Sequence, residues 1–238
     1  MKQRVRTVHT SRTMMFDELS SLISHNVFNE QDIIELNLLN KLSRSNINKT
    51  LKFLSGLYDF KSGNELWKVF LLLWKLAEEP DRRIMTLFYA LHQDELLNKT
   101  TPAILGTPHG KRVKVENILD TINKVWPGHY AQTTALSAAQ NIASSWKQAG
   151  YIEGRVRNIR VQAKPEFPAV LFALYLGKND GLTGEELLST KWIKVLEVSG
   201  SRLKELLSQA AIREMIDYRQ GGGITIIKFD KILTRIAS

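Results

Sequence analysis

The sequence predicts a mainly α fold with small β-hairpins, in which a helical N-terminal part is followed by two winged-helix (helix-turn-helix) modules. Three observations carry this. Apolar residues recur at helical spacing through the first hundred positions. Twice, at 151–163 and 218–229, a helical pattern gives way to a β-branched run that doubles back on itself. Each run is preceded by helix, turn and helix, a repeat of pattern without a repeat of residues.

The boundaries expected are 1–98 for the helical part, 99–112 for a linker or surface loop, 113–164 for the more basic module and 165–238 for the second. Helices are expected at 14–24 and at 29–42, the latter capped by Asn29 and carrying Ile33, Ile34, Leu38, Leu39 and Leu42. After a break at Ser43-Arg44-Ser45, a helix at 46–58 places Ile47, Leu51, Leu54, Leu57 and Tyr58 on one stripe. Residues 29–58 read as a further helix-turn-helix. Two more helices, 64–77 and 80–97, complete this part, the second with Pro80 at a first-turn position. Two prolines and two glycines within 100–112 mark the linker.

In the first module 115–125 and 133–149 are helical, separated by Trp126-Pro127-Gly128-His129, with Leu136, Ala139, Ile142, Ala143 and Trp146 facing inward. Gly150 ends the longer helix, and YIEGRVRNIRVQA forms two short strands. In the second module an apolar helix spans 168–176 and Thr183 caps 184–189. Ser199 or Ser201 caps a helix to about 215 with Leu203, Leu206, Leu207, Ala210 and Ala211 inside. The three glycines of YRQGGGITIIKF do not form a phosphate loop, which would carry GK[ST] and open a helix. A strand-like Ile224, Thr225, Ile226, Ile227 and Phe229 follows instead, so the glycines supply the positive φ of a hairpin turn.

Composition removes several function classes. The chain of 238 residues has no cysteine, which excludes disulfides, thiolate metal sites and cysteine nucleophiles and suits a reducing cytoplasm. The apolar window at 67–76 is shorter than the roughly 20 residues that span a bilayer, so no membrane partner is expected. The basic N-terminus lacks the apolar core and cleavage site of a secretory signal. The five histidines are scattered, with no HExxH, no GxSxG and no P-loop. Glu78-Glu79 with Asp81, and Glu185-Glu186, stand where helix ends and first turns favour acids. Neither catalysis nor a cofactor or metal is expected.

The net charge is +9, and residues 101–164 carry nine Lys/Arg against three acids, while the flanking regions are nearly balanced. Such a local surplus favours a polyanion. On the 133–149 helix the outward positions are Thr134, Ser137, Gln140, Asn141, Ser144, Ser145, Lys147 and Gln148, a polar face without acids. Alternation on the hairpin turns Val156, Ile159 and Val161 inward and most of the arginines Arg155, Arg157 and Arg160 outward, with Lys111, Arg112 and Lys114 beside them in the sequence. These residues form the expected nucleic-acid surface, the helix reading the major groove and the wing reaching phosphates or the minor groove. Secondary contacts are Arg202, Lys204, Ser208, Gln209, Arg219 and Lys228 in the second module, where Glu205 and Glu214 weaken the surface, and Arg44; Arg4, Arg6 and Arg12 form a basic arm. The blander readings are a solvated strand edge for the wing arginines and an ordinary solvated face for the helix. Trp67, Trp74, Trp146 and Trp192 fall on apolar stripes and belong to the core.

Several of these features together resemble the BrxA family of bacteriophage-exclusion (BREX) defence systems: the all-helical first part with Arg44-Ser45-Asn46 opening a helix, the long helix ending SWKQAG at 145–150, and the basic hairpin immediately after. The resemblance covers most of the chain. It implies a non-catalytic, helix-turn-helix-bearing protein that binds double-stranded DNA in a bacterial cytoplasm beside a methyltransferase and other phage-defence proteins, with room for a homodimer. The alternatives are a winged-helix protein-interaction scaffold and a sequence-specific transcription regulator or replication initiator.

Overall fold

A computed structural model describes residues 5–237. Helices dominate, and the described strands form two separate antiparallel pairs. In chain order α1 (Phe16–His25), α2 (Glu30–Glu35) and α3 (Arg44–Tyr58) are followed by α4 (Glu65–Leu76), α5 (Glu79–Gln93), α6 (Glu95–Lys99) and α7 (Thr101–Leu105). Next, α8 (Val115–Val125) and α9 (Gln132–Gln148) lead into β1 (Ile152–Glu153) and β2 (Ile159–Arg160). Then α10 (Phe167–Asn179), a 3-10 turn (Gly184–Ser189), α11 (Lys191–Leu196) and α12 (Gly200–Ile212) lead into β3 (Asp217–Gly221), β4 (Ile224–Lys228) and α13 (Asp230–Ala237).

The chain divides into two compact units, each built from two stretches of sequence: Met1–Asn64 with Tyr89–Val161, and Glu65–Phe88 with Gln162–Ser238. These units are discontinuous: one break, between Val161 and Gln162, lies close to the boundary expected at 164, and the others fall after Asn64 and Phe88 and not at 98 or 112. Residues 65–88 pack with the C-terminal part instead of the N-terminal helices.

In the first unit α3 forms as its stripe dictates. Ile47, Leu51, Leu54, Leu57 and Tyr58 are buried, and Ser43 caps the helix by accepting from Asn46 N. Asn29 caps α2, accepting from Asp32 N at 2.9 Å. The helix expected over 29–42 nevertheless stops at Glu35. Asn37 and Asn40 take left-handed backbone angles, φ 45° and 50°, which asparagine tolerates better than most side chains, and Leu42 is fully exposed. The helix expected over 80–97 breaks at Asp94, whose carboxylate accepts from Leu97 N at 2.9 Å and starts α6 afresh. Inside the expected linker Thr101–Leu105 is helical, because Pro102 falls in the first turn, where its missing N–H leaves no bond unmade.

The second unit is organised around α10, buried on every side from Pro168 to Gly177. Phe172 meets Phe70 edge-on at 5.3 Å, Tyr175 meets Phe229 at 5.4 Å, and Phe88 lies 6.2 Å from Trp192. The apolar 67–76 window lies in α4, which packs on α10 and α13. Among the described residues no helix is long and apolar enough to cross a membrane. Trp67, Trp74, Trp146 and Trp192 are buried.

Asp81 of α5 holds the start of α10: Oδ1 accepts from Glu166 N at 2.9 Å and Oδ2 from Ala169 N at 3.3 Å. Burial pushes its carboxyl up from 3.8 to about 6, against the pull of those two bonds. A carboxyl raised in this way stabilises the fold fully below its unfolded value, and that stabilisation is lost as pH rises through about 6. Relative to an Asp81→Asn variant, the wild type is expected to lose about 2 kcal/mol between about pH 4.5 and 7.5. Urea unfolding of both proteins at the two pH values measures this, and parallel pH profiles would count against it.

β3 and β4 pair in register from Asp217↔Lys228 to Gly221↔Ile224. Only Gly222 and Gly223 therefore form the turn, with φ 57° and 77°, as a two-residue turn with two positive-φ positions requires. Gly221 is strand. Ser199 caps α12 by accepting from Arg202 N, and Leu203, Leu206, Leu207 and Ala210 are buried beneath it; Ala211 is half-buried.

Candidate nucleic-acid interface

The most basic stretch of sequence is assembled, within the first unit, from segments that meet at β2. β1 pairs with β2 through Ile152↔Arg160 and Glu153↔Ile159. Residues 110–113 also run antiparallel to β2: Gly110 N donates to Arg160 O, Arg160 N to Lys111 O and Val113 N to Asn158 O, each at 2.8 Å. Buried Val113 anchors this segment and leaves Lys111, Arg112 and Lys114 exposed. The expected linker thus brings three cations beside the hairpin. Arg155 and Arg157 are exposed on the loop between the strands, and so is Val156, expected inward by alternation, because these three residues lie outside either strand, between corners at Gly154 (φ 86°) and Asn158 (φ 51°). Neither Arg155 nor Arg157 makes a hydrogen bond or ion pair among the described residues. Glu153, exposed on β1, is the acid closest in sequence.

α9 packs against α8 and carries no acidic residue. Ser137 and Gln140 are exposed; Thr134, Ser144 and Lys147 are half-buried. Leu136, expected inside, is 41% exposed, and Ala135 and Ala138 fill the inner face in its place.

Three of the outward positions expected on α9 are occupied by the chain's own N-terminal segment. Asn141 Nδ2 donates to His9 O at 2.9 Å, Ser145 Oγ accepts from Met14 N at 2.8 Å, and Gln148 Oε1 accepts from Phe16 N at 3.2 Å. These residues lie at helical spacing, so one stripe of the helix holds this segment and Asn141 leaves the nucleic-acid surface. Residues 5–15 are no free basic arm. Arg12 lies over the Phe53 ring at 5.3 Å, Arg6 is exposed, and Arg4 lies outside the described residues.

The same segment carries a fully buried constellation that sequence reading missed. His9 Nδ1 lies 2.8 Å from Asp94 Oδ2 and His9 Nε2 lies 3.0 Å from Ser145 Oγ. Asp94 Oδ2 also accepts from Thr7 Oγ1 at 3.0 Å and from Val8 N at 2.7 Å. Ser145 Oγ gives its hydrogen to Asn141 O at 2.9 Å, so it can only accept from His9. An ionised Asp94 likewise accepts only. Both ring nitrogens therefore donate, and the hydrogen-bond count calls for an imidazolium beside a carboxylate. Residues 85 and 136 positions away in sequence supply the partners, so no local motif announces them.

Arg160 is not on the surface. It is completely buried, 5.3 Å from the centre of the Tyr151 ring, and its Nη1 donates to Tyr151 O at 3.2 Å and to Val161 O. Alternation fails because each strand is two residues long and the left-handed corner at Asn158 resets the phase. Arg160→Ala is expected to lose about 2 to 4 kcal/mol by emptying a buried space and leaving Val161 O without the guanidinium donor, while Tyr151 O keeps Val161 N, whereas Arg155→Ala leaves stability unchanged. Thermal unfolding separates the two; an Arg160→Ala protein as stable as wild type would show that the guanidinium holds nothing.

In the second unit Arg202 is committed to Glu166 (2.7 Å) and Glu205 (2.6 Å), and Gln209 donates to Glu205 at 3.1 Å. Lys204, Arg219 and Lys228 are exposed; Ser208 is exposed too, its hydroxyl donating to Lys204 O. Arg44, the first residue of α3, lines a small groove with Glu30, Gln31, Ile34 and Glu35, where two carboxylates oppose a phosphate. No family model, curated protein or solved structure matches the chain.

Proposed function

We propose that this chain is a non-catalytic DNA-binding accessory protein of a bacterial phage-defence system of the BREX type, gripping duplex DNA mainly by its phosphates. The observation that carries this reading is the convergence of exposed Lys111, Arg112, Lys114, Arg155 and Arg157 around one hairpin, beside an α9 free of acids. The order α7, extended segment 110–113, α8, α9, β1 and β2, with β2 pairing back to that segment, supports a winged-helix module. In the second unit α10, α11, α12 and the β3–β4 hairpin repeat the order. The resemblance to BrxA supports the cytoplasmic defence setting, with other defence proteins and a second copy of the chain as further partners.

The His9, Asp94 and Ser145 spacing is that of a hydrolytic triad. Yet Ser145 is buried and its hydroxyl is fully engaged by Met14 N, His9 and Asn141 O, which supports a structural role. The second unit favours contact with protein: its arginine on α12 is neutralised, while Ile212 and Ile224 are 80% and 65% exposed.

Fluorescence anisotropy with a labelled duplex of about thirty base pairs tests the reading. Affinity is expected to fall on the order of 10²- to 10³-fold between about 50 and 200 mM salt, as about five neutralised phosphates regain counterions. Absence of binding at the lower salt ends the DNA reading; binding that ignores salt removes its phosphate basis.

A further inference from the structure

We infer that Val156 is an apolar wedge that enters the minor groove between Arg155 and Arg157 and bends the duplex, an inference that rests on the DNA reading above. Val156 is 77% exposed, at the tip of a hairpin whose strands are only two residues long. A β-branched side chain this exposed gains nothing from solvent. Two unpartnered arginines stand immediately on either side.

The loop is narrow and its direction is set by its corners. Gly154 and Asn158 both take left-handed angles, φ 86° and 51°, which turn the chain sharply out of β1 and back into β2. A side chain at Gly154 would meet no atom within 4 Å, so the space beside that corner is open. Glu153 ends β1 in the pair next to the loop, two residues before Arg155, and the two arginines outnumber it there.

A minor groove about 6 Å wide admits such a loop but no helix. Its negative potential is strongest where A·T sequence narrows it, and arginine is drawn there. An apolar side chain pressed between two base pairs unstacks them and kinks the duplex by about 20–90° toward the major groove, most easily at a TA or CA step. Such a bend brings flanking phosphates toward Lys111 and Arg112 on the neighbouring segment. The ligand this geometry fits is an A·T-rich duplex with a flexible pyrimidine–purine step.

The test uses the full chain and a duplex of about thirty base pairs, labelled with a donor and an acceptor at its ends and carrying a central TA step. Wild type is expected to raise end-to-end energy transfer, corresponding to a bend of at least about 20°. Val156→Ala is expected to bind about tenfold more weakly and to leave the duplex straight, while Val156→Leu bends it. The side chain is exposed, so both variants should unfold at the wild-type temperature. A Val156→Ala protein that bends DNA as wild type does, or a wild type that binds without bending, overturns the wedge and leaves DNA binding standing. No anisotropy change at low salt overturns both.

Discussion

Replacing His9 by alanine is expected to lower the unfolding free energy by about 3 to 5 kcal/mol, because it strands a buried carboxylate without its counter-charge. Asp94 is 1% exposed. Burial alone would push its carboxyl up, but the charge on His9 and the hydrogen bonds from His9, Leu97 N and Val8 N outweigh burial and hold it below the usual carboxylate range. A carboxyl lowered in this way stabilises the fold above the ordinary carboxylate range, and that stabilisation is lost as pH falls through the lowered value. Asp94 is thus expected to stay ionised in mild acid. Ser145→Ala removes the other acceptor of the ring, and the His9→Ala, Ser145→Ala double variant should cost less than the two single changes together, because each breaks the same network. Urea unfolding of the four proteins measures the coupling. A His9→Ala protein within about 1 kcal/mol of wild type would show that the pair does not hold the segment.

The second large effect falls on DNA. With Lys111, Arg112, Arg155 and Arg157 all changed to alanine, the dependence of log affinity on log salt should become shallower by about 3 to 4, since each lost phosphate contact removes about 0.9 from the slope. Affinity near 0.1 M salt should drop on the order of a thousandfold. All four side chains are exposed, so the variant should remain folded. Changing Lys204, Arg219 and Lys228 on the second unit is expected to do much less, because Glu205 and Glu214 share that surface. A quadruple variant with the wild-type slope would sink the wing assignment.

Helical stripes were the most legible feature: Ile47 to Tyr58 on α3, and the span of α8, needed no tertiary information. The glycine turn was legible because two positive-φ positions leave few other residues to choose. Failures arose where a local rule met a non-local partner. Arg160 looked outward by alternation, yet a corner at Asn158 sets the phase of a two-residue strand. Residues 110–112 looked like linker because their proline and glycine neighbours hid a segment completed by β2, almost fifty residues on. Asn141, Ser145 and Gln148 looked like a solvated face, since nothing in α9 itself reports that residues 9–16 lie on it.

The tie between residues 9–16 and α9 has a kinetic consequence. Its hydrogen bonds join positions 131 to 136 residues apart, whereas the helices they touch close over four. Loop-closure entropy opposes such contacts until the intervening chain is already compact, so they form late on the folding route. Weakening a late contact leaves the barrier to folding largely in place and lowers the barrier to escape. The N-terminal tie thus acts as a latch on the native state, and its loss should be felt chiefly as a shorter lifetime of the folded chain.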